Sequence, residues 1–223
     1  MSDIDLTTSA GRWRAYWSAY WQDHAYLRLL NNNNFHRLSP HAFRSAQPLP
    51  GHLRRQVPRH DIRTVVSLRG CRNETGELAL ERATCAELGV RFECLQMKSG
   101  QPPRVDHIER AVALLDDIEY PVLFHCKSGA DRAGLMSALY LHLREGVPMA
   151  ETDQLKLIPF LHMRHAKTGM LDHFLETYMA FAKQQPVDFM TWLREHYDRR
   201  ALRESFRPWP VVDWFVSRVL RRE

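Results

Sequence analysis

Several features that define special classes of protein are absent from this sequence. No run reaches the ~18 to 20 consecutive apolar residues of a membrane-spanning helix, and the richest run, 135–143, is shorter and contains His142. The first five residues carry two acids and no apolar stretch, so we expect no secretory signal peptide. Four cysteines without a CxxC pair are too few for a disulfide scaffold and suggest no zinc site. We therefore expect a soluble, cytoplasmic protein without a metal or another cofactor.

The composition that remains is that of an ordinary globular chain with a basic balance. Hydrophobic residues make up 44% and charged residues 26% of the 223 residues. The net charge of +5 favours an anionic partner, such as a phosphate ester, an acidic membrane surface or a nucleic acid. Because the basic residues are scattered and no nucleic-acid-binding motif is present, we expect no nucleic acid partner.

The middle of the chain alternates between strand and helix patterns. Strands are predicted at residues 35–38, 42–45, 62–68, 90–97 and 121–124, and helices at 50–57, 75–88, 105–118 and 135–144. Such an alternation implies an α/β fold with a central, mostly parallel sheet flanked by helices on both faces. The residues after Pro148 have helical patterns, which predicts a helical C-terminal extension.

The two ends of the chain are rich in aromatic and basic residues. An N-terminal helix is predicted at 11–30, because aromatic side chains recur there at helical spacing, namely Trp13, Tyr16, Trp17, Tyr20 and Trp21. The run 209–222 likewise interleaves aromatic residues with arginines. Either end suits a helix whose aromatic residues pack on the rest of the protein, which we favour, or peripheral contact with an anionic membrane. The predicted divisions are an N-terminal helix and linker 1–34, a central domain 35–182 and a C-terminal extension 183–223.

The segment 125–134 carries the chemistry. It reads His-Cys-Lys-Ser-Gly-Ala-Asp-Arg-Ala-Gly and joins a short apolar strand to a helix. Backbone N–H groups of a loop that enters a helix converge on one point, where the helix dipole adds positive charge, so this arrangement binds anions. At such a site a cysteine becomes a nucleophilic thiolate and an arginine holds two phosphate oxygens. Cys126 and Arg132 together therefore indicate attack on phosphorus through a phosphocysteine. A cysteine at this position without His125, Gly129 and Arg132 around it would instead be interpreted as a core residue.

This segment resembles the phosphate loop of the cysteine-dependent protein tyrosine phosphatase superfamily, whose motif is HCxxGxxR followed by Ser or Thr and Gly. The resemblance covers roughly 35–144, and the stretches Phe-Arg-Ser-Ala-Gln-Pro at 43–48 and Val-Val-Ser-Leu-Arg-Gly at 65–70 are similar to the bacterial dual-specificity branch. It implies that Cys126 is the nucleophile and that His125 supports the thiolate. It further implies that phosphate is bound by Arg132 and by loop residues, namely Lys127, Ser128, Gly129, Ala130, Ala133 and Gly134.

Two positions depart from the pattern of the family. Ala133 stands where the family has Ser or Thr, whose hydroxyl helps to release the cysteine, so the resemblance implies slow turnover of the phosphoenzyme. Ser99 stands where the family places its general acid, in the loop before the helix 105–118. The residue that protonates the leaving group must therefore be sought elsewhere.

Two aspartates are candidates for the general acid. Asp131 directly precedes the arginine, as in some phosphoinositide phosphatases of the superfamily, and repulsion by a bound dianion favours the protonated form of a neighbouring carboxyl. Asp106 opens the helix 105–118, where the favourable helix dipole by itself also accounts for an acidic residue. The third alternative is that the protein has no dedicated acid.

Three further residues belong to the stretches that resemble the family. Arg69 ends a parallel strand at the edge where α/β proteins bind their ligands, so it either contacts the phosphate or forms a surface salt bridge. Arg44 and Gln47 are predicted to fix the neighbouring hairpin rather than to contact substrate.

The remaining cysteines and histidines are predicted to be structural. Cys71 is expected to be an ordinary loop thiol, and a redox disulfide with Cys126 is a weaker alternative that rests on the resemblance. Cys85 and Cys94 are expected in the core. The segment 162–169 contains two histidines and two other basic residues, Arg164 and Lys167, but no further metal ligands. We therefore expect a solvated loop, in preference to a loop near the active site that adds positive charge.

The sequence thus predicts a metal-independent phosphomonoesterase of the tyrosine/dual-specificity type, acting on phosphotyrosine or another phosphoprotein. One alternative substrate is a phosphoinositide or other lipid phosphate at the inner membrane surface. Another alternative is a catalytically weak phosphate-binding module, which the alanine after the arginine and the missing acid both favour. A rhodanese-like sulfurtransferase fits poorly, because Gly129 and Arg132 match the phosphatase pattern.

Overall fold

A computed structural model of the chain describes residues 5–22, 32–71 and 75–214. The chain forms two compact units. Unit 1 comprises Met1–Gln96 and Ile118–Gly129, and unit 2 comprises Met97–Asp117 and Ala130–Glu223. The predicted domains 1–34, 35–182 and 183–223 have other boundaries than these units, and that division stays a prediction.

Within the described residues, unit 1 is built on a five-stranded sheet. Its strands are β1 (His36–Ser39), β2 (Ala42–Ala46), β3 (Thr64–Ser67), β4 (Arg91–Cys94) and β5 (Val122–Cys126). They are arranged in the order β1-β2-β5-β3-β4; β1 runs antiparallel to β2, and the other neighbours are parallel. Strands β2, β3 and β5 are buried along their whole length, as in a sheet covered on both faces. The predicted α/β class with a mostly parallel sheet is confirmed.

The described helices of unit 1 are α1 (Ser9–Trp17), α2 (Pro50–His60) and α3 (Gly76–Glu87). Helix α2 begins with a proline, whose fixed φ suits the first turn of a helix. Its buried residue Leu53 joins a core cluster with Phe43 of β2, Val65 of β3 and Leu123 of β5. This cluster fixes α2 on the sheet, because each of these side chains is almost completely removed from water.

Helix α1 packs on α3, but through the face opposite to the one expected. Ala15 and Ala19 are fully buried against Leu80, whereas the aromatic side chains at the predicted helical spacing are 37% to 63% exposed. Gly76 allows this close approach, because a Cβ there would lie 2.5 Å from the Ala15 carbonyl oxygen. The expectation that the aromatic residues make the packing contact is therefore wrong. Helix α1 passes into a π-helical turn, Ser18–Gln22, and the rest of the predicted helix lies outside the described residues.

Unit 2 is helical in most of its described residues. Its helices are α4 (Val105–Asp117), α5 (Asp131–Leu143), α6 (Met170–Gln184), α7 (Phe189–Glu195), α8 (Arg199–Ser205) and α9 (Pro210–Trp214). Aromatic rings join α6 to α7, with Phe174 lying 6.0 Å from Phe189 and 5.4 Å from Trp192 between ring centroids. None of the helices described in either unit is both long and apolar enough to cross a membrane.

The expectation that all residues after Pro148 are helical is wrong for the segment 152–166. This segment consists of turns and extended residues. Asp153 and Leu161 have φ values of 53° and 64°, a left-handed conformation that a right-handed helix cannot contain. The turns bring His162 into the interior, where it is 1% exposed.

Candidate active site

Cys126 is the last residue of the buried strand β5. The strand continues two residues beyond its predicted end, and helix α5 begins at Asp131, four residues before its predicted start. Only the residues 127–130 therefore lie between strand and helix. Cys126 pairs in register with Ala46 of β2, and its free thiol is 1% exposed.

Three successive carbonyl groups of the loop accept hydrogen bonds from unit 1. The Lys127 carbonyl accepts from the Gln47 backbone N–H at 3.2 Å. The Ser128 carbonyl accepts from the Asn34 side-chain amide at 3.0 Å, and the Gly129 carbonyl accepts from the Arg44 guanidinium at 2.7 Å. Asn34 is held in turn, because its amide oxygen lies 2.7 Å from the ring Nε2 of His36. Burial, with the nearby Arg44 charge, lowers the pKa of His36, so at neutral pH this ring is the neutral donor of that bond.

These contacts set the direction in which the loop amides point. In a planar trans peptide the N–H of one residue lies opposite the carbonyl of the residue before it. Because the three carbonyls are turned toward donors in the protein, the N–H groups of Ser128, Gly129 and Ala130 are turned the other way. Successive N–H groups with a common direction form a concavity that binds anions. The expected hairpin-fixing role of Arg44 and Gln47 is thus replaced by contacts with the loop.

Gly129 is required by the path of the loop. Its φ of 73° lies in the left-handed region, which side chains disfavour. A Cβ at this position would also lie 2.5 Å from the Ala46 nitrogen and 2.6 Å from the Ser45 carbonyl carbon. Backbone atoms cannot move aside as a flexible side chain can, so Gly129 allows the loop to lie directly against β2.

A buried polar network lies behind the nucleophile position. The ring Nε2 of His125 lies 2.6 Å from a carboxylate oxygen of Glu81 on α3, and both side chains are at most 1% exposed. The Gln47 amide donates to Glu81 at 2.8 Å, and Arg69 donates to Gln47 at 2.9 Å. Arg69 also pairs with Glu77 at 3.2 Å. The salt bridge considered for Arg69 is thus present, inside a network that connects α3 to the residue before Cys126, and its contact with phosphate stays a prediction.

Asp131 takes part in a second buried cluster, within unit 2. Its Oδ1 lies 2.7 Å from Nδ1 of His162, and Nε2 of the same ring lies 2.6 Å from Oδ2 of Asp172 on α6. The three side chains are 9% exposed or less. Burial by itself lowers the pKa of His162, but the hydrogen bonds and charges of the two aspartates outweigh it and raise the pKa to about 9. At neutral pH an imidazolium is therefore held between two carboxylates.

Neither His162 nor Asp172 is among the predicted site residues, although a position of the segment 162–169 near the active site was the less favoured alternative. His162 belongs to the segment 162–169, which was predicted to be a solvated loop, and that prediction is wrong for this residue. Its ring is buried, whereas the neighbouring His165 is exposed and stacks on Trp209 with ring centroids 4.1 Å apart. Nothing in the local sequence distinguishes the two histidines. The distinguishing signal is tertiary, because the partners of His162 lie 31 residues before it and 10 residues after it.

The other predicted site residues of unit 2 lie at the start of α5 and in α4. Arg132 is in the first turn of α5 and is partly exposed, as a group that contacts a ligand must be. Ala133 and Gly134 follow it and are buried. Ala130 is the residue that precedes the helix and is fully buried.

Asp106 has the wrong environment for a general acid. Its side chain is half exposed and pairs with Arg104 at 2.8 Å and with Arg110 at 3.0 Å. The hydrogen bond from Arg104 is the main cause that lowers the pKa of Asp106. A carboxyl that loses its proton more readily is a weaker source of protons at neutral pH. The helix-terminus explanation of Asp106 therefore describes this structure better than the acid role.

The cysteines pair differently from both possibilities considered from sequence, since Cys71 is neither a free loop thiol nor bonded to Cys126. Cys71 forms a disulfide with Cys94, across a Cα–Cα distance of 6.0 Å, and Cys126 is free. Cys94 is exposed at the end of β4, so its expected core position is wrong. Cys85 lies in the core as expected, where burial raises the pKa of its thiol to about 12. Cys85 is therefore an inert thiol.

Comparison with known proteins identifies the class of this domain. A family model described as PTP-SAK, a Swiss Army Knife protein DSP-PTPase phosphatase domain, matches residues 42–166, which is more than half of the chain. The matched range contains the whole of the segment 125–134. A search of curated proteins with the sequence finds no match.

Two solved structures have the same fold. TpbA of P. aeruginosa is 23% identical, with a TM-score of 0.52 over 72% of this chain and 88% of that chain. The core catalytic domain of the PP-IP phosphatase SIW14 from S. cerevisiae, in complex with citrate, is 16% identical, with a TM-score of 0.50 over 70% of this chain and 96% of that chain. At these identities the likeness supports the fold and leaves the substrate undetermined.

Proposed function

Because this chain belongs to the PTP-SAK family of DSP-type phosphatase domains, and is a phosphatase, we propose that it hydrolyses phosphomonoesters through a phosphocysteine formed on Cys126. The observation that carries the proposal is the hydrogen bonding of the loop 127–130. The carbonyls of residues 127–129 accept hydrogen bonds within unit 1, so the N–H groups of Ser128, Gly129 and Ala130 share the opposite direction, as in a site that binds anions. The thiol precedes these amides in the chain and Arg132 follows them. Nucleophile, amides and guanidinium thus come from seven consecutive residues, 126–132.

In the first step, the loop amides and Arg132 bind the three non-bridging oxygens of the substrate phosphoryl group. The Cys126 thiolate attacks phosphorus, so that an S–P bond forms and the P–O bond to the leaving group breaks. Asp131 passes a proton to the departing oxygen. The products of this step are the free alcohol or phenol and the phosphoenzyme.

In the second step, a water molecule attacks phosphorus and the S–P bond breaks, which restores the thiolate and releases inorganic phosphate. Asp131 takes the proton of that water and is ready for the next cycle. Ala133 provides no hydroxyl to help the sulfur leave, so we expect hydrolysis of the phosphoenzyme to be slower than its formation. The expected kinetic sign is a burst of product followed by a slower steady rate.

We take phosphotyrosine, or another phosphorylated side chain of a protein, as the substrate class. Cys126 is only 1% exposed, and a phosphoryl group at the end of a long aromatic side chain reaches a buried thiol more readily than one on a short serine. The net charge of +5 also favours an anionic substrate. On this basis phosphotyrosine peptides are expected to be better substrates than phosphoserine peptides of the same sequence.

The test measures phosphate release by the wild-type protein and by the C126S variant. The panel contains phosphotyrosine and phosphoserine peptides and a micellar phosphoinositide, and C85S is the matched control because Cys85 is a second buried free thiol. We expect release to fall to background in C126S and to persist in C85S. Equal release by C126S and wild type would refute the phosphocysteine. Binding of the peptides by wild type without any release would instead indicate a phosphate-binding module.

A second candidate substrate is a lipid phosphate at a membrane surface, and the outer face of α1 and of the π-helical turn Ser18–Gln22 favours it. Trp13, Trp17 and Trp21 are 63%, 48% and 52% exposed, and successive ring centroids are 5.3 Å and 5.8 Å apart. Tryptophan is enriched at the membrane–water interface, where its ring is apolar and its N–H stays hydrated. Arg12 and Arg14 add positive charge to the same helix, which suits anionic lipid.

Sedimentation with vesicles of mixed neutral and anionic lipid tests this candidate. We expect the wild-type protein to sediment with the vesicles at low salt and the double variant W13S/W17S to stay in solution. W214S is the control, because Trp214 is equally exposed but lies outside α1. Absence of wild-type sedimentation, or equal loss in W214S, would remove α1 as a membrane contact. Faster release from vesicle-borne phosphoinositide than from peptide would favour the lipid substrate.

A further inference from the structure

We propose that His162 is a positioning residue that keeps Asp131 supplied with the proton taken by the leaving group, and that Asp172 fixes His162 in this role. The proposal rests on the proposed phosphatase reaction and adds to it two residues outside the phosphate loop. The sequence pattern of the family contains neither of them.

The first argument is geometric. Each nitrogen of the His162 ring is within hydrogen-bond distance of one carboxylate, Asp131 at 2.7 Å and Asp172 at 2.6 Å. The ring is therefore fixed in both position and orientation. The side chain of His162 is completely buried, so it cannot itself contact a substrate. Its effect on the reaction must pass through Asp131, whose residue begins α5 directly before Arg132.

The second argument is based on charge. Two buried carboxylates next to each other would repel, and a buried carboxylate without a partner is costly. One imidazolium between them leaves the cluster with a single negative charge and one transferable proton on each nitrogen. The pKa of His162 is raised to about 9, so the ring carries its proton over the neutral range. A lone aspartate, with an ordinary pKa of about 4, would be almost entirely deprotonated there.

The proton transfer is balanced as follows. When the P–O bond breaks, the Nδ1 proton of His162 passes to Asp131 and from Asp131 to the leaving oxygen, so Asp131 is a carboxylate before and after the transfer. His162 becomes a neutral imidazole, and its bond to Asp172 is kept because Nε2 still carries its hydrogen. When water attacks the phosphoenzyme, Asp131 takes one proton from that water and passes it to Nδ1 of His162, which restores the imidazolium. The net reaction is hydrolysis of the ester, with His162 and Asp131 unchanged.

The first experiment compares leaving groups. Phenyl phosphate needs a proton on its departing oxygen, whereas p-nitrophenyl phosphate has a stable leaving group and needs one much less. For H162Q we expect kcat/KM on phenyl phosphate, which reports the step in which the leaving group departs, to fall about 10²-fold, within the range of general acid catalysis, and kcat/KM on p-nitrophenyl phosphate to fall much less. H165Q is the matched control, because His165 is exposed and three residues away. Equal losses on both substrates would reduce His162 to a structural residue and overturn the proposal.

The second experiment records the pH dependence of kcat/KM on phenyl phosphate. In the wild type we expect activity to hold up to about pH 9 and to fall above it, as the proton of His162 is lost. D172N keeps an acceptor for Nε2 but removes one negative charge, so this fall should move about 1 to 3 pH units lower. If H162Q does not fold, D172N still tests the proposal, because this variant keeps the histidine. An unshifted profile in D172N would contradict the proposal.

A double-mutant cycle distinguishes this inference from the proposed function. If His162 acts only through Asp131, then adding H162Q to D131N should cause little further loss on phenyl phosphate. Losses that multiply would show that the two residues act independently and would overturn the proposal. Loss of all activity in C126S with independent effects of H162Q and D131N would leave the phosphatase intact and reject only the relay. Activity that survives in C126S would reject the phosphocysteine mechanism itself.

Discussion

The phosphate loop has two halves that are fixed by different kinds of interaction. The nucleophile half, residues 126–129, is fixed through its main chain, since three successive carbonyls accept hydrogen bonds from Gln47, Asn34 and Arg44. The arginine half, residues 130–132, is fixed through a side chain, since Asp131 is paired with His162. Each half also has a buried histidine close to it, but His125 contacts one carboxylate whereas His162 contacts two.

The two halves of the loop should therefore respond differently to pH. The donors that fix the nucleophile half keep their hydrogens over the whole neutral range, so its shape should not depend on pH. The arginine half depends on an imidazolium, and the pKa of about 9 places its titration within reach of experiment. In the proposed reaction, the nucleophile half therefore provides a constant binding geometry, and the arginine half provides a group that can exchange a proton.

The largest effect is expected from a change that alters the shape of the nucleophile half. G129A places a Cβ 2.5 Å from backbone of β2, and we expect phosphate release to fall about 10²-fold or more, because an error of ~1 Å in position has that consequence. G146A is the control: its φ of 71° is almost the same, but a Cβ there would meet nothing within 4 Å. Measurement of phosphate release and thermal unfolding separates the two variants. Equal activity in G129A and G146A would show that loop shape is not critical.

The pH dependence of stability tests the arginine half. The pKa of His162 is raised from 6.5 to about 9, so the stabilisation by its proton is complete below pH 6.5 and is lost as the pH rises through 9. The expected loss in the free energy of unfolding is about 3 kcal/mol over this window. Denaturant unfolding at several pH values should reveal it, and H162Q should have a flatter profile over the same range. An equally steep profile in H162Q would assign the dependence to another group.

A smaller effect is expected from the network next to the nucleophile half. E81Q removes the charge that faces His125 in a buried site, and we expect the free energy of unfolding to fall by about 2 kcal/mol. E87Q is the matched control in the same helix, because Glu87 is exposed and pairs with Arg54 at the surface. Urea unfolding of both variants provides the measurement. If E87Q is as destabilised as E81Q, the buried network is not what holds α3 in place.

The smallest effect is expected at the other candidate acid. Asp106 is half exposed and paired with two arginines, so D106N should leave kcat/KM on phenyl phosphate within about twofold of the wild type. D131N, measured in parallel, should reduce kcat/KM on phenyl phosphate strongly while sparing p-nitrophenyl phosphate. A larger loss in D106N than in D131N would indicate that the general acid is Asp106 and not Asp131.

The phosphate loop was predictable because its signal is local. The apolar strand, the cysteine, the glycine and the arginine are consecutive, and the anion-binding direction of loop amides follows from any such strand–loop–helix connection. The donors that fix the loop were not predictable, since Asn34 and Arg44 lie 94 and 85 residues away from the carbonyls they contact. For the same reason the role of Arg44 was misjudged, because its neighbours in sequence suggested only a hairpin.

Helix α1 shows how a correct periodicity leads to a wrong face. The spacing of the aromatic residues predicted an amphipathic helix, and part of it is present. The buried face is formed by Ala15 and Ala19, because small residues let the helix approach Gly76 closely and the larger rings are left outside. Periodicity identifies two faces of a helix, but only the partner surface decides which of them is covered.

The sequence by itself determined the α/β class, the order of strands and helices, and the positions of Cys126 and Arg132 at the two ends of a phosphate-type loop. These features depend on residues within about ten positions of one another, where backbone propensity and side-chain pattern are sufficient. Tertiary structure alone decided that Asp131 pairs with His162 and Asp172, that Arg69 pairs with Glu77, and that Cys71 pairs with Cys94. Each of these contacts exists only because folding removes the side chains from water and brings distant segments together, and the charge that each group carries is set by that environment.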